Sequence, residues 1–204
     1  MSSEHAGEHG SDYVGAKLGM WFFLFTEILL FGGLFLVYSV YRSTHAVEFH
    51  KAAGQLDSMI GAANTLILIT SSLFVALSIS AVQKNELRRA GWYIVLTTAL
   101  GGAFLVNKYF EWSHHISDGM FPDSPSLLSL SKGENLFFGL YYVMTGLHSV
   151  HVIGGLAVLG IALVLLKKGR VTSTNFVFLE NAGLFWHLVD LIWIYLFPLF
   201  YLVT

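Results

Sequence analysis

Five long apolar segments follow one another along the chain, and shorter polar connections separate them. They cover residues 17–41, 58–82, 90–112, 136–166 and 178–203. A helix crosses a hydrocarbon layer of about 30 Å in about 20 residues, because all its backbone polar groups are then hydrogen-bonded internally. The pattern predicts an all-α polytopic membrane protein, with a polar cytoplasmic tail at 1–14 and one bundle of five transmembrane helices over 15–204.

The composition agrees with a surface that faces lipid. Apolar residues make up 55% of the chain and charged residues only 12%, whereas a soluble domain has about 25% charged residues. So few charges cannot cover a water-facing surface, which excludes a soluble enzyme. The net charge of -2 and the lack of a dense basic tract exclude a nucleic-acid partner. Because the chain contains no cysteine, any metal would need His, Met or carboxylate ligands.

The distribution of Lys and Arg predicts the orientation of the bundle. Cytoplasmic connections retain more of these residues than external ones do. With the N-terminus inside, the cytoplasmic side receives Lys17, Lys84, Arg88, Arg89, Lys167, Lys168 and Arg170, and the other side receives Arg42, Lys51 and Lys132. We therefore expect a cytoplasmic N-terminus and a periplasmic C-terminus.

Small and polar residues recur every seven residues on the first two predicted helices. One stripe consists of Gly19, Thr26 and Gly33, and the other of Asn64, Ser71 and Ser78. Small residues let helices approach closely inside a membrane. Both stripes are therefore predicted to face neighbouring helices.

Glu27 stands out in the first span because it lies near the middle of the bilayer. An ionisable group at this depth costs roughly 2.5–3.5 kcal/mol unless it is paired, neutral or next to water. We expect Glu27 to be protonated or bonded to a partner helix. Two roles fit it equally well: a carboxyl that exchanges protons, or a neutral acid that joins helices.

Two ionisable residues lie three positions apart in the third span. Lys108 and Glu111 share one helix face and are expected to form an ion pair. Glu111 and His114 also match the Glu-x-x-His motif of di-iron proteins, but that chemistry needs the motif twice and two further Glu residues. The sequence supplies one copy, which disfavours a di-iron site.

The last two spans carry polar faces that are expected to meet. His148 and His151 share a face of the fourth span, and a polar stripe on the fifth consists of Glu180, Gly183, His187 and Asp190. We expect a buried hydrogen-bonded network between these faces, to which Glu111 of the third span also belongs. A haem held by opposed histidines, or another metal site, is the alternative.

Five motifs, in order, resemble those of subunit III of haem-copper terminal oxidases. They are KLGMWFFLFTEILLFGGLF at 17–35, NTLILITSS at 64–72, KYFEW at 108–112 followed by HISDG, LYYVMTGLHSVHVIGGL at 140–156 and ENAGLFWHLVDLIWIYLFPLFYL at 180–202. Each motif begins or ends a span, and together they extend over nearly all of 15–204. The resemblance is to the short bacterial form, which has five helices instead of seven.

The resemblance implies an accessory subunit of a proton-pumping oxygen reductase in a bacterial inner membrane. In that family this subunit holds no redox centre and no metal, because the haems and copper belong to partner subunits. The implied partners are the catalytic subunit I, subunit II, a small subunit IV and structural phospholipids. The chain would serve aerobic respiration by stabilising subunit I, holding lipids and supporting proton uptake, without catalytic residues of its own.

The resemblance also assigns roles to single residues. Glu27 matches the family's buried carboxyl that is associated with carbodiimide reactivity. Lys168, Arg170 and Thr172 fall where the family contacts phospholipid headgroups. Further matches to motif positions are Glu111, His148, His151, Glu180, Trp186, His187 and Asp190.

The electron donor follows from two acidic positions. Quinol-type members tend to carry Asp in place of Glu27 and no acid in place of Glu180, so this chain favours cytochrome c, although VTSTN at 171–175 is more quinol-like. A quinol oxidase subunit III and a nitric-oxide-reductase-associated homologue are the alternatives on the same scaffold. A proton-coupled transporter is the alternative from another class, but the sequence lacks the internal repeats typical of transporters.

Overall fold

Seven helices make up the part of the chain that the computed structural model describes, residues 2–122 and 124–202, with side chains from Val14 onward except that of Leu128. The helices are α1 (Ser2–Thr44), α2 (Ala46–Ala53), α3 (Ser58–Gln83), α4 (Leu87–Ser117), α5 (Pro125–Leu128), α6 (Lys132–Lys167) and α7 (Val177–Tyr201). Five of them are long and apolar enough to cross a membrane: α3, α4, α6, α7 and the Val14–Thr44 part of α1. The predicted all-α fold with five spans is confirmed.

The differences from the predicted elements lie outside the spans. The short helices α2 and α5 occupy two connections that the apolar pattern left without structure. The predicted polar tail at 1–14 continues α1, which begins at Ser2; the side chains of residues 1–13 lie outside the described residues. Helix α2 is amphipathic, and its Phe49 is fully buried against the rings of Tyr38 and Phe137.

Local capping explains where several helices begin and end. The Asp57 carboxylate accepts backbone hydrogen bonds at the start of α3, and Ser131 with Glu134 forms a capping box at the start of α6. At the other ends, Asn85, Gly119 and Gly169 follow α3, α4 and α6 with positive φ angles. A left-handed residue just after a helix satisfies its last carbonyl groups.

Four helices form the bundle, and α1 lies outside it. Helix α3 packs along α4, α4 contacts α6, α6 contacts α7, and α7 returns to α3. Within the described residues, α1 packs against α6 and α7 but not along α3 or α4. One face of α1 therefore stays open for lipid or another subunit.

Trp186 fills the centre of the four-helix bundle. Gly101 of α4 and Gly155 of α6 lie against its indole, where an added Cβ would come within 2.6 Å and 2.7 Å of ring carbons. Its Nε1 donates to the Ser71 hydroxyl of α3 at 2.9 Å. One fully buried side chain thus joins α7 to the three other helices of the bundle.

The small-residue stripe of α3 is buried, whereas that of α1 is exposed. Asn64, Ser71 and Ser78 are fully buried, so the prediction for α3 is confirmed. The prediction for α1 is wrong within this chain, because Gly19, Thr26 and Gly33 are exposed. The buried face of α1 instead carries Leu24, Phe31 and Tyr38, which also recur every seven residues.

Candidate functional site

Glu27 and His151 join α1 to α6 in the middle of the membrane span. The Glu27 Oε2 lies 2.8 Å from the His151 Nε2. The two side chains are 14% and 13% exposed, so water has little access to either. The Phe31 ring approaches the imidazole edge-on at a centroid distance of 5.2 Å. A part-buried carboxyl and a part-buried imidazole therefore form a polar contact between α1 and α6.

The second ring nitrogen of His151 determines how many protons this pair holds. Its Nδ1 lies 2.8 Å from the carbonyl oxygen of Leu147, which can only accept a hydrogen bond. Nδ1 must therefore carry a proton. One further proton then lies between Nε2 and the Glu27 carboxyl, either on the acid or on the imidazole. The pair is neutral overall in both cases.

A second polar contact ties α1 to α7 nearer the N-terminus. The Lys17 Nζ lies 2.8 Å from the Glu180 Oε2, and both side chains are partly exposed. Beside this ion pair, the Asn181 amide donates to the carbonyl of Ala16 at 3.3 Å. At the opposite end of α1, the Tyr38 hydroxyl donates to the carbonyl of Leu199. Polar contacts at three levels thus hold this peripheral helix.

Lys108 and Glu111 lie in a compact buried cluster with two tyrosines. The Lys108 Nζ lies 3.1 Å from Glu111, 2.9 Å from the Tyr141 hydroxyl and 2.7 Å from the Tyr201 hydroxyl. Both tyrosines also donate to the Glu111 carboxylate, Tyr141 at 2.6 Å. The ammonium and the carboxylate are therefore fully hydrogen-bonded inside the bundle, as buried charges must be.

The other predicted polar residues of α6 and α7 have few partners. The His187 Nδ1 contacts the Ser72 hydroxyl of α3. His148 packs against the rings of Phe104 and Trp193, and neither of its ring nitrogens has a hydrogen-bond partner in the described part of the chain. The buried Asp190 carboxyl lies beside the same Ser72 hydroxyl that His187 contacts.

The structure does not bring the six residues that were expected to share a network into one hydrogen-bonded group. Within the described residues, Glu111, His151 and Glu180 each bond to a different partner set, His187 and Asp190 both lie beside Ser72, and His148 has no hydrogen-bond partner. Among the described residues, the side chains of the two predicted polar faces of α6 and α7 form no hydrogen bond to each other. His151, Glu180 and His187 turn towards α1 and α3, while His148 packs against Phe104 of α4 and Trp193 of α7.

Sequence reasoning missed four of the partners. Tyr141, Tyr201 and Ser72 look like ordinary residues of apolar or small-residue segments, and only the packing of α4, α6 and α7 shows their role. Lys17 carried a signal, since a lysine at the start of an apolar span needs a partner or a path to the interface. That signal was used for orientation alone.

Lys168, Arg170 and Thr172 lie in the connection between α6 and α7. Both cations are exposed, whereas Thr172 is half-buried. A tight turn orders the segment: the backbone groups of Thr172 and Asn175 bond to each other at 3.0 Å and 3.2 Å. Two exposed cations thus flank an ordered turn at one end of the bundle.

The positions of the His, Asp and Glu side chains determine whether they could hold a metal ion or a haem. Among the residues with described side chains, no group of three or more His, Asp and Glu residues could hold a metal ion. The His151 and His187 imidazoles bond to Glu27 and Ser72, and Glu111 bonds to Lys108 and two tyrosines. These side chains are thus engaged with partners inside the chain.

Together, the fold and the polar contacts define a multi-pass, all-α membrane protein with a carboxyl–imidazole pair at membrane depth. The family model described as cytochrome c oxidase subunit III matches residues 1–204. The chain therefore belongs to this family and is an accessory subunit of a haem-copper oxidase.

Individual relatives agree with this assignment. A cytochrome c oxidase subunit 3 from Thermostichus vulcanus is 33% identical, covering 100% of this chain and 94% of the relative. A haem-copper oxidase subunit I+III from Aeropyrum pernix is 31% identical, covering 92% of this chain and 22% of the relative. A quinol oxidase subunit 3 from Bacillus spizizenii is 28% identical, covering 98% and 97%. The family assignment favours the oxidase subunit over the transporter alternative.

Proposed function

We propose that this chain is the non-redox subunit III of a cytochrome c oxidase in a bacterial inner membrane. It stabilises the catalytic subunit I, holds phospholipids and supports proton uptake, while the haems and copper reside in partner subunits. Subunit II and a small subunit IV complete the proposed complex. The fused subunit I+III relative supports contact with subunit I. The observation that carries the proton-uptake role is the pair of Glu27 and His151.

The proposal for the electron donor rests on two acids, Glu27 of α1 and Glu180 of α7. Glu27 bonds to His151, and Glu180 forms an ion pair with Lys17. Both acids thus take part in holding α1 against the bundle. The preference for the cytochrome c branch comes from the resemblance, in which quinol-type members tend to carry Asp in place of Glu27 and no acid in place of Glu180. Quinol oxidation is the second candidate, because a quinol oxidase subunit is among the relatives.

The proton role of Glu27 follows from the single proton that it shares with His151. That proton can move between Oε2 and Nε2 across 2.8 Å without any movement of α1 or α6. Movement of the proton within the pair leaves the pair neutral. Release of the proton to another group would leave one negative charge on the pair, and uptake of a proton would restore neutrality. The other polar residues, Glu111, His148, Glu180, His187 and Asp190, have a structural role in this proposal.

Two substitutions separate the proton role from a purely structural one. In Glu27→Gln the amide can still donate to Nε2 but cannot exchange the proton, whereas Glu27→Ala removes both functions. We expect the Gln variant to retain subunit III in the purified oxidase and to slow proton uptake at least twofold at high pH. Glu180→Gln serves as a control acid on the other α1 contact. Unchanged proton uptake in Glu27→Gln would leave only the helix-joining role.

Removal of subunit III tests whether the chain is catalytic. The subunit-depleted oxidase is expected to keep its haem spectra and its initial rate of oxygen reduction, and to lose activity sooner during turnover. Immediate loss of oxygen reduction at every pH would show that this chain contributes to catalysis. The headgroup role of Lys168, Arg170 and Thr172 is tested in the same preparations by comparing bound phospholipid in Lys168→Gln/Arg170→Gln with the wild type.

A further inference from the structure

A groove opens between α4 and α6 at the end of the bundle where α4 begins and α6 ends. Its volume is about 440 Å³, within the usual size range of small-ligand sites. Leu87 and Val95 of α4 form one apolar wall, and Leu163 and Leu166 of α6 form the other. Since both walls belong to transmembrane helices, the groove faces the lipid phase along its length.

Two cations stand at the charged end of this groove. Arg88 and Lys167 line it, both are exposed, and neither has a salt bridge or hydrogen-bond partner in the described part of the chain. The neighbouring Arg89 differs, because its guanidinium lies 2.8 Å from the Glu86 carboxylate. The groove thus presents two uncompensated positive charges above apolar walls.

The base of the groove is open because a glycine occupies it. A Cβ added to Gly91 would lie 3.7 Å from Leu166 and 3.9 Å from Leu163, at ordinary contact distance, so a ligand chain can approach the backbone of α4. Beside it, the Trp92 side chain is 62% exposed. Exposed tryptophans near span ends lie at the level of lipid headgroups.

We propose that this groove binds one anionic phospholipid, with an acyl chain along the leucine and valine walls and the phosphate between Arg88 and Lys167. Basic pockets between transmembrane helices bind anionic headgroups in this way. The charge pattern favours a lipid over a protein helix, because positive charge is confined to the headgroup level and the rest of the groove is apolar. Its lining residues are separate from Lys168, Arg170 and Thr172, so the site does not depend on that headgroup role.

Bound lipid in the intact oxidase tests the site. The complex, purified in detergent, is expected to retain one phosphatidylglycerol that Arg88→Gln/Lys167→Gln loses. Each cation near an anionic group contributes roughly a fivefold factor in binding, so the binding constant should fall roughly 25-fold in the double variant. Lys84→Gln/Arg89→Gln is the matched control, because it removes two charges from the same surface outside the groove. Equal phosphatidylglycerol content in both double variants would overturn the proposal.

A photo-crosslinker distinguishes the occupants without relying on charge variants. With p-benzoylphenylalanine in place of Trp92, irradiation of native membranes should add the mass of one phospholipid to subunit III. Crosslinking to another oxidase subunit would show that protein fills the groove, and would contradict the lipid site. Absence of any adduct at Trp92, with lipid adducts formed from a crosslinker at Leu36, would also contradict it.

Discussion

At Gly155 the backbone of α6 comes so close to Trp186 that no side chain fits between them. An added Cβ would lie 2.7 Å from one ring carbon and 2.9 Å from another. The preceding residue, Gly154, has no atom of a described residue within 4 Å of a Cβ built on it. Of these two adjacent glycines, Gly154 has room for a side chain and Gly155 does not.

This difference predicts opposite outcomes for two identical substitutions. Gly155→Ala forces the indole or a helix to move, and overpacking of this kind costs about 1–3 kcal/mol. Gly154→Ala should be neutral or slightly stabilising, because Ala is the better helix former. Thermal release of subunit III from the oxidase measures both. Equal midpoints for the two variants would show that the Trp186 contact tolerates displacement.

The Lys108–Glu111 cluster contains a buried ion pair whose two charges can be removed one at a time. Lys108→Met leaves the Glu111 carboxylate buried without its cation, and breaking a buried pair costs about 3–5 kcal/mol. The double variant Lys108→Met/Glu111→Gln should recover much of this loss, since no net charge stays buried. Stability of subunit III within the oxidase is the readout.

A surface pair provides the control for this cycle. Arg89 and Glu86 form a comparable ion pair three residues apart, with side chains 70% and 41% exposed. Arg89→Met is expected to cost less than about 1 kcal/mol, because water and salt screen exposed charges. If Lys108→Met/Glu111→Gln is as unstable as Lys108→Met alone, the hydrogen bonds from Tyr141 and Tyr201, and not the charge balance, dominate the stability of the buried cluster.

At the scale of elements, the last turn of α7 depends on other helices. The final carbonyl groups of a helix have no partner within it. Here the Tyr38 hydroxyl of α1 donates to the carbonyl of Leu199, and the Ser58 hydroxyl of α3 donates to that of Tyr201 at 3.0 Å. The end of α7 is therefore held by two hydroxyl groups from different helices.

Tyr38→Phe tests this arrangement with almost no change in side-chain volume. Loss of the hydrogen bond should cost about 0.5–1.5 kcal/mol and speed amide hydrogen exchange in the last turn of α7. Ser39→Ala is the control, because the Ser39 hydroxyl bonds within its own helix to the carbonyl of Phe35. Exchange measured by mass spectrometry on peptides ending after Tyr201 should respond only to Tyr38→Phe; equal exchange in both variants contradicts the capping role.

The sequence predicted the spans better than their contacts, for physical reasons. A length of apolar chain must cross the membrane wherever its neighbours lie, so the five spans could be located from hydropathy alone. Which face of a helix turns inward depends on the neighbours. Gly19 and Gly33 lie on the exposed face of α1 within this chain, because small residues permit contact but Phe31 and Tyr38 supply the surface buried against the other helices.

The candidate site shows the same division. Glu27 stands out in the sequence because a carboxyl at membrane depth needs a partner. In the structure that partner is His151, which lies 124 positions further along the chain. The two histidines of α6 look equivalent in sequence, yet His151 bonds to Glu27, while His148 packs against the rings of Phe104 and Trp193 and has no hydrogen-bond partner among the described residues. No spacing rule distinguishes them, because the difference arises from which helix each one faces.

At the scale of the whole molecule, the helix ends divide the connections into two sets. The α3–α4 turn and the α6–α7 connection lie at one end of the bundle, and α2 and α5 lie at the other. The first end carries Lys84, Arg88, Arg89, Lys167, Lys168 and Arg170. Connections rich in Lys and Arg stay in the cytoplasm, so α2 and α5 should lie in the periplasm.

The absence of cysteine from the sequence makes this orientation directly testable. Gln83→Cys at the end of α3 and Val47→Cys in α2 place single thiols at exposed positions on opposite sides. In intact cells, a membrane-impermeant maleimide should label subunit III carrying Val47→Cys and leave Gln83→Cys unlabelled. After permeabilisation both should react, which shows that each thiol is accessible. Labelling of Gln83→Cys alone in intact cells would mean that the bundle is inserted the other way, because the five helices fix both ends at once.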